Sequence, residues 1–170
     1  KTYEAVIHLG IETDTQDISG QVKCQRPVEV SPEEVAECIR SFEGEQMQVP
    51  PMYSALKVQG KKLYELAREG KEVERKPRPV TFYDIKILSM ELPFVTVRVT
   101  CSKGTYIRTL CHDIGEKLGC KGCMESLLRT RVDRFSIENS LKLSQIEELV
   151  NQGELEKYIL GPDEMFSDYP

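Results

Sequence analysis

Along the first nine residues, Tyr3, Ala5, Ile7 and Leu9 alternate with Thr2, Glu4, Val6 and His8. This period of two predicts a strand with one buried face. Val95, Val97 and Val99 alternate in the same way with Thr96, Arg98 and Thr100. That pattern predicts a strand over 94–101, paired as a hairpin with a strand over 80–90. Helical spacing is equally clear elsewhere. Ile107, Leu110, Cys111, Ile114 and Leu118 form one stripe closed by Gly119, which predicts a helix over 105–118. Ser31-Pro32-Glu33-Glu34 combines a serine cap, a proline in the first turn and a glutamate three residues after the cap, opening a helix whose buried side is Val35, Cys38, Ile39 and Phe42. Leu63, Leu66 and Ala67 mark a short helix ended by Gly70; a further short helix is expected over 122–130, followed by a strand over 131–137. Ser144-Gln145-Ile146-Glu147 reads as a second capping box, for a helix ending near Gly153.

The connections carry their own signals. Thr13-Asp14-Thr15-Gln16-Asp17 is a polar loop running to Gly20, without the acidic spacing of a calcium loop, and residues 21–27 return as a short strand. Pro50-Pro51 excludes a regular central strand over 45–59, leaving an extended segment through 52–58 that turns at Gly60. Strands and helices mix without a βαβ repeat. The expected class is therefore α+β, a mixed, largely antiparallel sheet with flanking helices.

Composition narrows the function classes. The chain has 170 residues, enough for one domain with its own core, and no apolar run long enough to span a membrane. It opens at Lys1, inside a predicted strand and without a signal-peptide pattern, so it reads as a piece of a longer protein. Six cysteines without secretory context read as reduced thiols. Cys120 and Cys123 have zinc-knuckle spacing, with Cys111 or His112 as further donors, but no second C-x-x-C accompanies them. Net charge is −5, yet residues 57–78 hold eight Lys/Arg against four Glu, and 117–134 hold Lys117, Lys121, Arg129, Arg131 and Arg134 against Glu125 and Asp133. Such segregation predicts one basic face on an acidic protein, or else solvated helix faces.

The most chemically pointed segment is Cys101-Ser102-Lys103-Gly104-Thr105-Tyr106-Ile107-Arg108-Thr109-Leu110, which joins a strand to a helix. It sets Lys103 and Arg108 at a helix start, where the macrodipole is already positive. Arg108 calls for an anion, a phosphate or a carboxylate from elsewhere in the fold; Lys103 either shares it or extends into solvent. The familiar nucleophile, nucleotide and metalloprotease motifs are absent, and only His8 and His112 represent histidine.

Three segments resemble the bacterial TruB-type tRNA pseudouridine synthases. They are Lys1-Thr2-Tyr3-Glu4-Ala5 with Leu9-Gly10 and Thr13-Asp14-Thr15-Gln16-Asp17; Pro51-Met52-Tyr53-Ser54-Ala55-Leu56-Lys57 through Lys61-Lys62-Leu63-Tyr64 to Gly70; and Cys101 to Arg108, running on to Gly119 and Leu127-Leu128-Arg129-Thr130. The resemblance covers nearly the whole chain in one order. It implies isomerisation of a T-loop uridine of tRNA, without metal or organic cofactor, in a cytoplasmic and monomeric intact enzyme. It further implies that Tyr3 stacks on the flipped uracil, that Arg108 pairs with the catalytic aspartate, and that Tyr106 and Leu127 line the base pocket. By residue pattern alone, Tyr3 reads first as a core residue of its strand, beside Ala5, Ile7 and Leu9, and Leu127 as a core leucine of the expected helix. Lys57, Lys61, Lys62, Arg68, Lys103 and Arg129 are candidate phosphate contacts.

One departure bears on mechanism. The family's nucleophilic aspartate lies in a Gly-x-Leu-Asp-Pro motif that these 170 residues do not contain, and Asp14, Asp17 and Asp113 fall at other matched positions. The expectation is a partial catalytic domain over 1–170, lacking the aspartate segment and a downstream RNA-binding module, and inactive alone. The rival readings are a non-catalytic RNA-binding or assembly fragment, and a zinc-stabilised interaction domain built on Cys120 and Cys123.

Overall fold

The alternation in the first nine residues becomes the middle of a sheet. In the computed structural model, which describes residues 1–161, β1 (Thr2–Leu9) is followed by a short antiparallel pair, β2 (Ile11–Thr13) and β3 (Val22–Gln25). Then come α1 (Pro32–Arg40), β4 (Gly44–Gln48), a small hairpin of β5 (Lys57–Val58) and β6 (Lys61–Lys62), and α2 (Leu63–Arg68). A long hairpin, β7 (Arg78–Glu91) and β8 (Phe94–Cys101), leads to α3 (Ile107–Leu118), β9 (Gly122–Val132) and the two-residue β10 (Phe135–Ser136). The main sheet has the order β10-β9-β1-β8-β7-β4, and every pairing from β9 to β4 is antiparallel. The expected α+β class holds.

Helices α1 and α3 cover one face of this sheet. Tyr3, Ala5, Ile7, Val95, Val97 and Val99 from the strands pack there with Val35, Ile39, Ile107, Leu110, Cys111 and Ile114 from the helices. The other face is polar, as a one-sided antiparallel sheet allows. On it Arg98 binds Glu4 at 2.8 Å, the His8 Nδ1 lies 2.9 Å from Glu125, and Thr2 meets Thr100 at 3.2 Å. The α1 capping box is present in both directions: Glu34 N–H donates to the Ser31 hydroxyl at 3.2 Å, and Ser31 N–H to the Glu34 carboxylate at 2.7 Å. Those bonds hold the Glu34 carboxyl below its ordinary range.

Three sequence expectations are corrected. Residues 122–130 are strand, not helix, and the strand runs through Val132 before turning at Asp133. The reason is a bulge: Val6 pairs with Ser126 but Ile7 with Met124, so Glu125 is the extra residue. The bulge breaks the period of two and puts Met124 and Leu127, three apart, opposite Ile7 and Ala5, an imitation of helical spacing. The strand expected over 131–137 is divided, Arg131 and Val132 ending β9 and Phe135–Ser136 forming β10. In the last helix, α4 (Leu143–Gln152), the start lies before Ser144: the Gln145 side chain accepts the Lys142 N–H at 2.8 Å, so Lys142 and not Ser144 stands at the cap. The edge strand β4 went unforeseen; it ends two residues before Pro50, where the missing proline N–H interrupts no ladder.

Residues Lys1–Phe135 form one compact unit and the chain from Ser136 a second. In the second, α4 and the 3-10 turns Ile137–Asn139 and Leu155–Tyr158 bury none of their own side chains. Among the described residues no helix is long and apolar enough to cross a membrane.

The seat of α3 on β9 is backbone against backbone. A Cβ on Gly115 would fall on the Lys121–Gly122 main chain, and one on Gly122 would lie 2.8 Å from the Cys111 carbonyl. Helix propensity favours Ala over Gly by about 1 kcal/mol, but the steric conflict involves backbone that cannot rotate away. Gly115→Ala is therefore expected to lower the thermal midpoint by at least about 5 °C, measured by circular dichroism. An unchanged or raised midpoint would mean that the helix can lift off the strand at little cost.

Candidate active site

The N-terminal end of α3 opens onto a cleft of about 330 Å³ lined by Lys1, Tyr3, Gly104, Thr105, Tyr106, Ile107, Arg108, Met124, Leu127 and Arg129. The three residues expected to line the base pocket (Tyr3, Tyr106 and Leu127), the arginine expected to pair with a carboxylate (Arg108) and one expected phosphate contact (Arg129) meet in it. Its floor is the β1–β9 ladder, in which Tyr3 stands opposite Arg129 and Ala5 opposite Leu127. Tyr3 is 7 % exposed, belongs to the core cluster and also lines the cleft. The Arg129 guanidinium lies over that ring at 5.4 Å, a cation–π contact. Leu127 is 44 % exposed on a strand, so its reading as a helix-core leucine is overturned.

The wall is the turn from β8 into α3. Gly104 takes a positive φ of 84° there. Ser102 anchors the turn to β7, its N–H donating to the Thr81 carbonyl and its hydroxyl accepting the Thr81 N–H, both at 2.9 Å. Tyr106, the α3 cap residue, has no side-chain cap of its own. Gln48 supplies the partners: its amide oxygen accepts the Tyr106 N–H at 2.8 Å and its amide nitrogen donates to the Tyr106 carbonyl at 3.0 Å. Sequence reading missed Gln48, since nothing in Gln46-Met47-Gln48-Val49 marks one glutamine as buried.

Arg108 was expected to face an anion. It donates instead to two main-chain carbonyls, Tyr53 at 2.8 Å and Thr15 at 3.2 Å, tying the polar loop and the proline segment to the first turn of α3. Two of five guanidinium donors are so engaged, leaving the others for a further acceptor. Lys1, Arg108 and Arg129 line the cleft beside the positive helix end, and no lining residue is a carboxylate. The arrangement favours a planar, polar, electron-rich guest and an anion beside it.

Other candidates lie apart. Lys57, Lys61, Arg68 and Lys103 are exposed, whereas Lys62 is half-buried, donating to the Tyr64 hydroxyl at 3.3 Å. Arg68 lies over the Tyr64 ring at 5.3 Å. Asp14 accepts the Gln21 N–H and Asp17 caps Ser19, so both are spent within their loop. A larger cavity of about 380 Å³ lies between that loop and residues 51–75, lined among others by Glu12, Asp14, Lys71, Arg75 and His112. Its charges are of both signs and it gathers none of the predicted pocket residues, so the smaller cleft is the better site.

The zinc reading fails on geometry. Cys123 is fully buried and its thiol is pushed up to about 11, mainly by burial; burial raises the Cys120 thiol as well. Among the described residues the one group with ligand spacing is Glu12, His112 and Glu116, which contains neither cysteine. The Lys121 ammonium, 2.6 Å from Glu116 and 3.3 Å from Glu12, already supplies the cation there.

In a Cbf5-Nop10-Gar1 complex, one solved chain aligns with TM-score 0.66 and 28 % identity over 93 % of this chain and 39 % of its own. In the archaeal box H/ACA sRNP Nop10-Cbf5 complex, another gives 0.62 and 25 %, over 94 % and 38 %. The fold is thus shared with these chains. Residues 1–107 match the model of the TruB family pseudouridylate synthase N-terminal domain, and residues 108–167 that of the tRNA pseudouridylate synthase B C-terminal domain. The chain belongs to the TruB family. It is 53 % identical to tRNA pseudouridine synthase B of Alkaliphilus oremlandii over 89 % of this chain and 50 % of that protein. With the Clostridium kluyveri protein of the same name the identity is 49 %, over 100 % and 57 %. The chain spans about half the length of the curated relatives it matches.

Asp113 on α3 gives a test of how that helix is packed. Burial raises its carboxyl from 3.8 to about 6, against a smaller lowering by His112. A raised carboxyl pKa means that the folded state holds its proton longer than the unfolded state does. This group's contribution is therefore full below about pH 4 and lost as pH rises through about 6. Asp113→Asn should gain thermal midpoint relative to the parent progressively from pH 4 to pH 6, with a constant difference above. A difference independent of pH would show Asp113 to be solvated.

Proposed function

We propose that this chain is the part of a tRNA pseudouridine synthase that receives the target base, a T-loop uridine. The single observation that carries the reading is the cleft itself, which brings Tyr3, Tyr106, Arg108, Leu127 and Arg129 together from three elements and offers cations without a carboxylate. A base whose glycosidic bond is to be broken has to leave its stack. Tyr3 and Leu127 then sandwich the flipped uracil, with Tyr106 beside it. The nucleophilic carboxylate comes from a Gly-x-Leu-Asp-Pro segment outside residues 1–170, and Arg108 holds it ionised and oriented with the donors that Thr15 and Tyr53 leave unused. The bond from C1′ to N1 breaks, the uracil turns, C1′ joins C5, and the proton lost from C5 is balanced by one gained at N1. Lys57, Lys61, Lys62, Arg68 and Lys103 meet tRNA phosphates, and the working protein is a cytoplasmic monomer without cofactor.

The test uses a polypeptide carrying these residues together with the aspartate segment. Arg108→Lys should lower single-turnover pseudouridine formation on a tRNA transcript by roughly 100-fold or more while tRNA affinity changes little, because an ammonium cannot hold a carboxylate through two parallel bonds. Lys61→Ala should do the reverse, weakening binding and reducing the salt slope by about one. If Arg108→Lys weakened binding and spared chemistry, Arg108 would be a phosphate contact and the reading would fall. Residues 1–170 alone should yield no pseudouridine, and any RNA binding they retain should weaken with salt. Turnover by the isolated chain would overturn the assignment of the nucleophile.

A further inference from the structure

We infer that Gln48 is a positioning residue for the base cleft, setting the place of Tyr106 and Arg108 through the backbone of the α3 cap; the inference rests on the function proposed above.

Gln48 is the last residue of β4 and 4 % exposed, one of four buried polar residues in the first unit. A buried carboxamide must find partners for both of its ends. Gln48 finds both in one residue, the Tyr106 N–H at 2.8 Å and the Tyr106 carbonyl at 3.0 Å, so its side chain acts as an extra rung added to the edge of the sheet. The rung follows a stretch of the wall in which the Ser102 hydroxyl meets that of Thr105 at 3.1 Å. Ser102 is the previous anchor, and Lys103, Gly104 and Thr105 between the two make no main-chain bond to the sheet. Tyr106 N–H, at a helix start, has no intrahelical partner, so Gln48 satisfies a donor that would otherwise be orphaned.

The same stretch of chain grips α3 a second time. Five residues after Gln48, across Pro50-Pro51, the Tyr53 carbonyl accepts from Arg108 at 2.8 Å. The proline pair restricts the path between the two contacts. The first turn of α3 is thus held at its main chain by Gln48 and at its side chain by Tyr53. Residue 106, which lines the cleft, and residue 108, which lines it and meets the carboxylate, are placed by one segment. Loss of the Gln48 bonds would free the cap to shift, and a misplacement of about 1 Å is enough to cost roughly 100-fold in rate.

The experiment uses the polypeptide that includes the aspartate segment, with single-turnover pseudouridine formation and tRNA affinity measured side by side. Gln48→Met keeps the volume and removes both bonds; Gln48→Glu keeps the acceptor for Tyr106 N–H and removes the donor. A core control, Val97→Ala, reports what general destabilisation does. The expected result is a rate at least about ten-fold lower in Gln48→Met, less in Gln48→Glu, with tRNA affinity within about two-fold of the parent and the Val97→Ala rate unchanged. Combined with Arg108→Lys, Gln48→Met should add little further loss, because the two act through one placement. If Gln48→Met is insoluble, the decision rests on Gln48→Glu. A parental rate in either folded variant, a loss matched by Val97→Ala, or full additivity with Arg108→Lys would overturn the inference. An inactive parent polypeptide would instead strike the proposed function.

Discussion

Everything around the cleft depends on how Arg108 is held. A guanidinium at the first turn of a helix adds positive charge to a positive helix end, and the fold offsets this with carbonyl dipoles from Thr15 and Tyr53. Those two acceptors belong to loops far apart in sequence, so the arginine is a structural tie as well as a chemical group. Thr109, the next residue, extends the tie: its hydroxyl donates to the Gln16 side chain at 2.8 Å from a buried position. The polar loop, the proline segment and α3 are therefore fixed relative to one another by hydrogen bonds to adjacent residues of one helix turn.

The close seat of α3 explains why the cleft forms at all. Gly115 and Gly122 let the helix approach β9 with no side chains between them, and the Lys121 N–H donates to the Gly115 carbonyl at 3.0 Å. At the helix C-terminal end the layers nearly touch. At its N-terminal end Leu127 and Arg129 continue along β9 beyond the buried Met124 on the same face, and both are exposed beside the glycine-bearing turn. The cleft is the open end of that layer, floored by a strand whose bulge at Glu125 sets which side chains face inward.

Much of this was legible in the residue pattern. The alternation at 2–9 and 94–101, the stripe at 107–118 and the Ser31 cap follow from local periodicity, and the structure has them nearly where expected. The resemblance to the family brought Tyr3, Tyr106, Arg108 and Leu127 into one pocket before any geometry was known. Failures occurred where tertiary pairing overrides local signals. The bulge in β9 mimicked a helix, and Gln145 caps from a start earlier than Ser144. Gln48 is unreadable in sequence because its burial is decided by Tyr106, 58 residues away.

On the function proposed here, a carboxylate held against Arg108 completes the cationic cleft. The most direct measurement is the pKa of that aspartate by carboxyl carbon NMR, in the polypeptide that contains both, with Arg108 and with Arg108→Met. Paired with a guanidinium and a helix N-terminus, the carboxyl should titrate well below the usual value of about 3.9, and removal of the guanidinium should raise it by about one unit or more. An aspartate pKa that is ordinary in the parent and unmoved by the substitution would contradict the account.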